Sequence, residues 1–288
     1  MVSASKVVLI TGCRSGFGRV FAERLDREGH LVYAGFRDLA DAEPLADAWR
    51  GTRIVPVQLD VTREADRKAA VARVLAEQGR IDVLINNAGI ALGGFLEDID
   101  EDELRQVFET NLFGLWALTV AVLPGMRARG AGLILNISSM SGRMAAPGLG
   151  VYASSKFALE GMSEAWRHEL RPFGVHVVLL EPGAFKTDIF SRNRRIGRRA
   201  GRPDSPYKSW FDWMNRRFEE VTDRISRDPA ELAERVVRIV GEARPTLREP
   251  VGLESYVRLI LKTALPWSVF EVILGRVLGV QSMRGRGA

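Results

Sequence analysis

Short, unbroken apolar runs that stop on glycine, asparagine, serine or proline constrain this chain most. Val7-Val8-Leu9-Ile10 ends at Thr11-Gly12, and Leu31–Phe36 is a second run. Residues 81–85 end at Asn86-Asn87-Ala88-Gly89, residues 133–137 at Ser138-Ser139, and residues 175–180 at Glu181-Pro182-Gly183. Runs of this length without polar alternation read as strands buried on both faces, the pattern of a parallel sheet covered by helices. Residues 53–59 supply a further strand. Between the strands lie helical patterns: Phe17, Val20, Phe21 and Leu25 on one stripe, residues 40–49, residues 62–78 with Thr62 as expected N-cap, and residues 152–170. Glu101–Arg129 reads as a long helix interrupted near Pro124-Gly125. Strands alternating with helices predict an α/β fold built on a doubly wound parallel sheet.

The segment Thr11-Gly12-Cys13-Arg14-Ser15-Gly16-Phe17-Gly18 turns the first strand into the first helix. Glycines at such a turn allow close approach, and the helix start presents backbone N–H groups suited to a pyrophosphate. In dinucleotide folds, an acid roughly 20 residues after the glycines takes the ribose 2′-hydroxyl, whereas an arginine suits a 2′-phosphate. Here Phe36 stands where the acid would be and Arg37 follows it. Arg14 adds a second guanidinium, so NADP(H) is expected over NAD(H). Asp38 argues the other way, because it could neutralise Arg37 or take the hydroxyl itself.

A second constellation is chemical. Tyr152 and Lys156 are four apart, so on a helix their side chains share one face. A neighbouring ammonium favours phenolate, and lowering a tyrosine from about 10 toward 7 needs roughly 4 kcal/mol of differential stabilisation. Y-x-x-x-K alone is a common helical pattern. Together with the glycine loop, Asn86-Asn87-Ala88-Gly89, Ser139 thirteen residues before Tyr152, and Asn111 in Thr110-Asn111-Leu112-Phe113-Gly114, it makes residues 6 to about 190 resemble the short-chain dehydrogenase/reductase family.

That resemblance implies a Rossmann fold and hydride transfer between a nicotinamide cofactor and an alcohol or ketone. It also implies Tyr152 as general acid/base, Ser139 as the hydroxyl that holds the substrate oxygen, and Lys156 on the nicotinamide ribose. Asn111 would perturb its helix and hold a water that links Lys156 to solvent. Asp60-Val61 would meet adenine, Asn87-Ala88-Gly89 would support the cofactor, and Pro182-Gly183 with Thr187 would face nicotinamide. The glycine loop, Arg37 and a long apolar tail resemble the steroid and retinoid branch, which implies a lipophilic steroid-, retinoid- or long-chain-like substrate. Other readings in the family are an NAD(H)-preferring alcohol dehydrogenase and a ketoacyl reductase. Outside enzymes, an idle dinucleotide-binding sensor or scaffold remains, against which stand Asn111, Ser139, Tyr152 and Lys156, all present.

Composition narrows the rest. The single cysteine, Cys13, offers neither a disulfide nor a cysteine metal site, and His30, His168 and His176 have no metal-ligand spacing. The first strand begins by Lys6, which predicts a cytoplasmic protein without a cleaved signal. Bases exceed acids by five, but six of the arginines lie in residues 192–202, and without them the acids lead by one. One local cluster predicts no nucleic-acid footprint; it could meet anionic lipid.

Residues 1–288 are expected to form one domain, with the core over about 1–190, a helical substrate lid and apolar C-terminal helices over about 191–280, and a disordered tail over 281–288. Tyr207, Trp210, Phe211 and Trp213 either close over an apolar substrate or anchor the segment to the body. A helix starting at Pro229 and a short strand near Pro250 follow. Residues 256–280 suggest two amphipathic helices separated at Pro266-Trp267, which could cover the pocket, pair subunits or rest on a membrane. The resemblance implies a homodimer or homotetramer.

Overall fold

A computed structural model describes residues 4–183, 185, 195–225 and 227–277. Seven parallel strands form the main sheet: β1 (Val7–Ile10), β2 (Leu31–Phe36), β3 (Ile54–Gln58), β4 (Val83–Asn86), β6 (Gly132–Ile137), β7 (Val175–Pro182) and β9 (Arg248–Val251), in the order β3-β2-β1-β4-β6-β7-β9. A two-residue pair, β5 (Leu92–Gly93) with β8 (Arg195–Ile196), lies apart from it. The doubly wound Rossmann architecture read from the sequence is the one observed. β1 has β2 on one side and β4 on the other, so the strand order reverses there and opens a crevice beyond their carboxyl ends.

The apolar runs are buried on both faces because helices cover both. Val8 and Ile10 join Phe21 and Leu25 of α1 (Gly16–Arg27) and Leu232, Val236 and Val240 of α7 (Pro229–Gly241). Val7 and Leu9 point the other way, toward Val71 and Val74 of α2 (Glu64–Gln78), Leu118 and Met126 of α4 (Gly114–Arg129) and Leu159 and Trp166 of α5 (Gly150–Leu170). The alternation along one strand thus sends neighbouring residues into separate cores.

Several boundaries differ from expectation. Residues 39–45 form a 3-10 helix, capped by the Asp38 carboxylate, which accepts from the Ala40 amide. α2 starts at Glu64 after Arg63, because the Thr62 hydroxyl donates instead to Asp60. The interruption of the long central helix is not at Pro124, which α4 accommodates. It is a π-turn, Glu109–Phe113, between α3 (Glu101–Phe108) and α4. The combined run 101–129 is long and apolar enough to cross a membrane, yet its Leu118 and Met126 are fully buried in the core.

After β8, α6 (Lys208–Ile225) leads to α7, whose Pro229 start matches expectation and whose cap is Asp228, accepting from the Ala230 amide. The tail forms α8 (Leu253–Ala264) and α9 (Trp267–Val277), two short helices parted at Leu265-Pro266. The expected disordered tail, 281–288, lies outside the described residues.

Candidate active site

The crevice beyond β1 and β4 is a cleft of about 840 Å³. Gly12, Arg14, Ser15, Gly16, Phe17, Arg37, Asp60, Val61, Asn87, Ala88, Gly89, Ser139, Tyr152, Lys156, Pro182 and Gly183 all line it. Residues from six loops, scattered over more than 170 positions of sequence, therefore share one wall, as the switch point requires. Thr187 lies outside the described residues.

Local bonding explains how each edge is set. Gly12 and Gly16 have φ of +73° and +58°, values that side chains disfavour. The Thr11 hydroxyl accepts from the amides of Asn87 and Ala88, while the Asn87 side chain donates back to the Thr11 and Gly12 carbonyls. The Asn87 turn is thus a brace for the glycine loop as well as part of the wall. Gly18 does not line the cleft. A Cβ there would lie 2.3 Å from the Gly12 carbonyl oxygen, so this glycine lets α1 pack under the loop.

At the end of β2, the Gln58 side chain donates to the Arg37 carbonyl and accepts from the Leu39 amide, fixing the backbone that carries Arg37. The Asp66 carboxylate holds both Gln58 and the Asp60 amide. Asp38 is absent from the wall because its carboxylate caps the 3-10 helix. Asp41 also lines the cleft, 3.3 Å from Arg14. Sequence reasoning missed Gln58, Asp66 and Asp41, since their partners are set by strand register rather than by local pattern.

At the other end, Tyr152 and Lys156 are buried on one face of α5, with the Lys156 ammonium 5.8 Å from the Tyr152 ring centroid. Burial pushes the Tyr152 phenol up to about 12, and a hydrogen bond with Ser139 offsets part of that shift. Burial also pushes Lys156 down to about 8, against the attraction of Glu160. The expected lowering of Tyr152 by Lys156 is therefore not the balance struck by the protein groups. Desolvation outweighs the Ser139 bond, and the Lys156 ammonium donates to the Ile137 carbonyl at 2.8 Å. Tyr152 is held as a phenol, the proton-donating form.

Asn111 sits in the π-turn and is fully buried. Its amide donates to the Ile90 carbonyl and the Ser155 hydroxyl, and its oxygen accepts from the Ile90 amide. The side chain thus ties the loop after β4 to α5. Gly89 lies between this oxygen and Lys156: a Cβ there would be 3.4 Å from Asn111 Oδ1 and 3.8 Å from Lys156 Nζ. Asn111 itself is not in the cleft wall.

Tyr207, Trp210 and Phe211 anchor α6 and the turn before it. Phe95 stacks with Tyr207 at 4.8 Å and packs against Trp210 at 4.6 Å, while Phe211 is buried against Gly201. The basic segment is partly neutralised: Arg198 pairs with Asp100 and Asp102 of the α3 start, and Arg195 donates to Gln106. Among the described residues, no group of three or more His, Cys, Asp or Glu is placed to hold a metal.

A glycine-rich loop after β1 and a buried Ser-Tyr-Lys set at the ends of β6 and α5 together define a dehydrogenase of the short-chain type. The short chain dehydrogenase family model matches residues 6–196, and the chain belongs to that family of oxidoreductases. It is 38% identical over 247 residues to 3-ketodihydrosphingosine reductase of Bacteroides thetaiotaomicron, covering 86% of this chain and 88% of that one. It is 36% identical over 257 residues to human 17-beta-hydroxysteroid dehydrogenase type 1, covering 85% and 77%. Retinol dehydrogenase 8 of Bos taurus is 34% identical over 275 residues, covering 92% and 88%. The steroid and retinol dehydrogenases are thus relatives. A solved short-chain dehydrogenase from Streptomyces avermitilis superposes with a TM-score of 0.80 at 32% identity, covering 96% of this chain and 99% of that one.

Proposed function

We propose that the protein is an NADP(H)-dependent oxidoreductase that interconverts a hydroxyl and a carbonyl on a lipophilic, steroid-, retinoid- or long-chain-like substrate. The observation that carries this reading is the shared cleft wall, with Arg14 and Arg37 at one end and Ser139, Tyr152 and Lys156 at the other. The residues present fit a dinucleotide: positive-φ glycines admit close approach, the start of α1 offers amides to phosphate, and no acid of the α1 first turn opposes it.

When bound, the dinucleotide supplies or accepts the hydride. The remaining work falls to the chain. In reduction, Tyr152 donates its phenolic proton to the developing alkoxide, a role that suits a group held protonated at neutral pH. Ser139 holds the same oxygen by hydrogen bond. Lys156 keeps a positive charge beside the phenol and the ribose, so the proton lost by Tyr152 is easier to part with and to replace. Asn111 holds the π-turn and α5 in register, and its water would return protons from solvent. Residues 195–225 form the lid of this reading, outside the catalytic core.

The placement of Asp38 supports NADP(H): with its carboxylate spent on Ala40, it does not compete for the ribose. A charged hydrogen bond to phosphate contributes about 1.5–3 kcal/mol, so Arg37→Ala should weaken NADPH binding roughly 10- to 100-fold and leave NADH within about twofold. Equal weakening of both cofactors would remove Arg37 from phosphate recognition.

Two apolar surfaces extend the reading. Among the described residues, none of α8 or α9 lines the cleft, which weighs against their covering it. Lys262 bonds the Arg143 carbonyl and lies over the Phe157 ring, turning one side of α8 inward. Ile260 and Trp267 are each 63% exposed, with Val257, Val269, Val272 and Ile273 also exposed. We read this as a peripheral contact with the cytoplasmic face of an anionic membrane, from which a lipophilic substrate arrives. The purified protein should float with vesicles containing phosphatidylglycerol, and Ile260→Glu with Trp267→Glu should abolish flotation; unchanged flotation would discard these helices as the contact. Exposed Phe113, Trp116 and Val120 around α4 support pairing with a second copy, a reading that a monomer mass by light scattering would remove.

A further inference from the structure

Tyr152, Lys156 and Glu160 stand one turn apart on α5, and each engages one of three consecutive residues at the end of β6. Tyr152 pairs with Ser139, the Lys156 ammonium donates to the Ile137 carbonyl, and the Ser138 hydroxyl donates to the Glu160 carboxylate. Glu160 is buried, yet the proton transfers described above make no use of it.

The groups around it come from four elements. Lys156 and Glu164 share its helix. Arg248 of β9 reaches Glu160, and also Glu164 at 3.1 Å and Glu181 of β7 at 3.0 Å. Arg143, following the turn Met140–Gly142, donates to Glu181 at 3.0 Å. Glu181 is fully buried, and its second oxygen has no hydrogen-bond partner. Two buried carboxylates therefore share Arg248. Burial and the neighbouring Glu181 push Glu160 up to about 7, while its charge supports that of Lys156. An ion pair kept only for stability would be a poor use of such a site, since buried pairs return little net stability.

The geometry points to Glu160 as a positioning residue that completes the Tyr152–Lys156 row: it fixes the turn carrying Ser139 through Ser138 and sustains the charge of Lys156, with Arg248 holding it in place. This rests on the reading of Lys156 as a group that grips the bound dinucleotide. Through Arg248 and the Lys262 bond to Arg143, the C-terminal segment is joined to the floor of the site.

The test is the pH dependence of NADPH binding to the full-length protein, followed by nicotinamide fluorescence from pH 6 to about 10, a range that spans the lysine transition. Wild type should bind more weakly as Lys156 loses its proton. In Glu160→Gln the ammonium loses its anionic neighbour, so the midpoint should fall by about one pH unit, with Glu160→Asp restoring part of it. Arg248→Met should move it the same way, because without that guanidinium Glu160, buried beside Glu181, keeps its proton over the range in which Lys156 titrates and no longer supports its charge; this variant decides the matter if Glu160→Gln does not fold. Lys156→Met should abolish the alkaline limb. If it does so while the Glu160 and Arg248 variants leave the midpoint unmoved, the positioning role is overturned and Lys156 stands. Survival of the limb in Lys156→Met would overturn the Lys156 reading and the proposal with it.

Discussion

Tyr152→Phe should lower turnover by about 10²- to 10⁴-fold, the usual contribution of a positioned acid, while its Kd for NADPH stays within about twofold. The expectation follows from what the substitution removes. The ring of Tyr152 is packed in the protein, 3% exposed, and phenylalanine keeps that packing. Only the hydroxyl is lost, and with it the group facing Ser139. Ser139 cannot substitute, since an ordinary hydroxyl is a far weaker acid than a phenol. The uncompensated hydrogen bond costs on the order of 1 kcal/mol of stability, too little to unfold the chain. The check is NADPH oxidation with a panel of long-chain ketones, beside a fluorescence titration of the same variant. Turnover near the wild-type rate would take the acid/base role from Tyr152.

Gly18→Ala should disable the cofactor loop by displacing Gly12 and Asn87 of the cleft wall, although Gly18 itself does not line it. The new Cβ would stand 2.3 Å from the Gly12 carbonyl oxygen and 2.6 Å from the Asn87 amide nitrogen. Neither can retreat cheaply: that carbonyl accepts from Asn87 at 3.0 Å, and the same amide holds Thr11. Either α1 moves off the sheet or the loop opens. Overpacking of this kind costs about 1–3 kcal/mol, and at roughly 2–4 °C per kcal/mol for a chain of this size the Tm should drop by several degrees. NADPH affinity should fall by at least about 100-fold, because the phosphate-facing amides no longer converge. Gly161→Ala is the matched control, an exposed position in α5 with nothing within 4 Å of the added carbon. It should be neutral or gain about 0.5–1 kcal/mol. A Gly18→Ala protein that binds NADPH normally would show that the loop tolerates the displacement.

The strands were legible because burial on both faces leaves an unbroken apolar run, as in Val7-Val8-Leu9-Ile10, and the strand–helix alternation then restricts the topology. Residues of the cleft wall were legible where a motif fixes them locally, as in the glycine loop and Tyr152–Lys156. Other features depend on what meets across the fold. The bond from the Ala40 amide to the Asp38 carboxylate and the close packing of Gly18 on the Gly12 carbonyl are of this kind. Pro124 seemed the natural break in a long helix. The break falls instead at Asn111, where bonds to Ile90 and Ser155 draw the backbone into a π-turn. Glu160, Glu181 and Arg248 span almost 90 positions of sequence and meet only because β9 lies beside β7, so no local pattern announces them. The aromatic segment at Tyr207 and Trp210 could be assigned once its partner, Phe95, was in place.

The measurement that bears most directly on the central claim is a titration of the wild-type protein with NADPH and, in parallel, NADH, followed by nicotinamide fluorescence. The cleft should bind one NADPH per chain, saturably and at least about tenfold more tightly than NADH, given two guanidinium groups at the ribose end. Tighter binding of NADH would contradict the phosphate reading of Arg14 and Arg37, and binding of neither would contradict the assignment of the cleft to a dinucleotide.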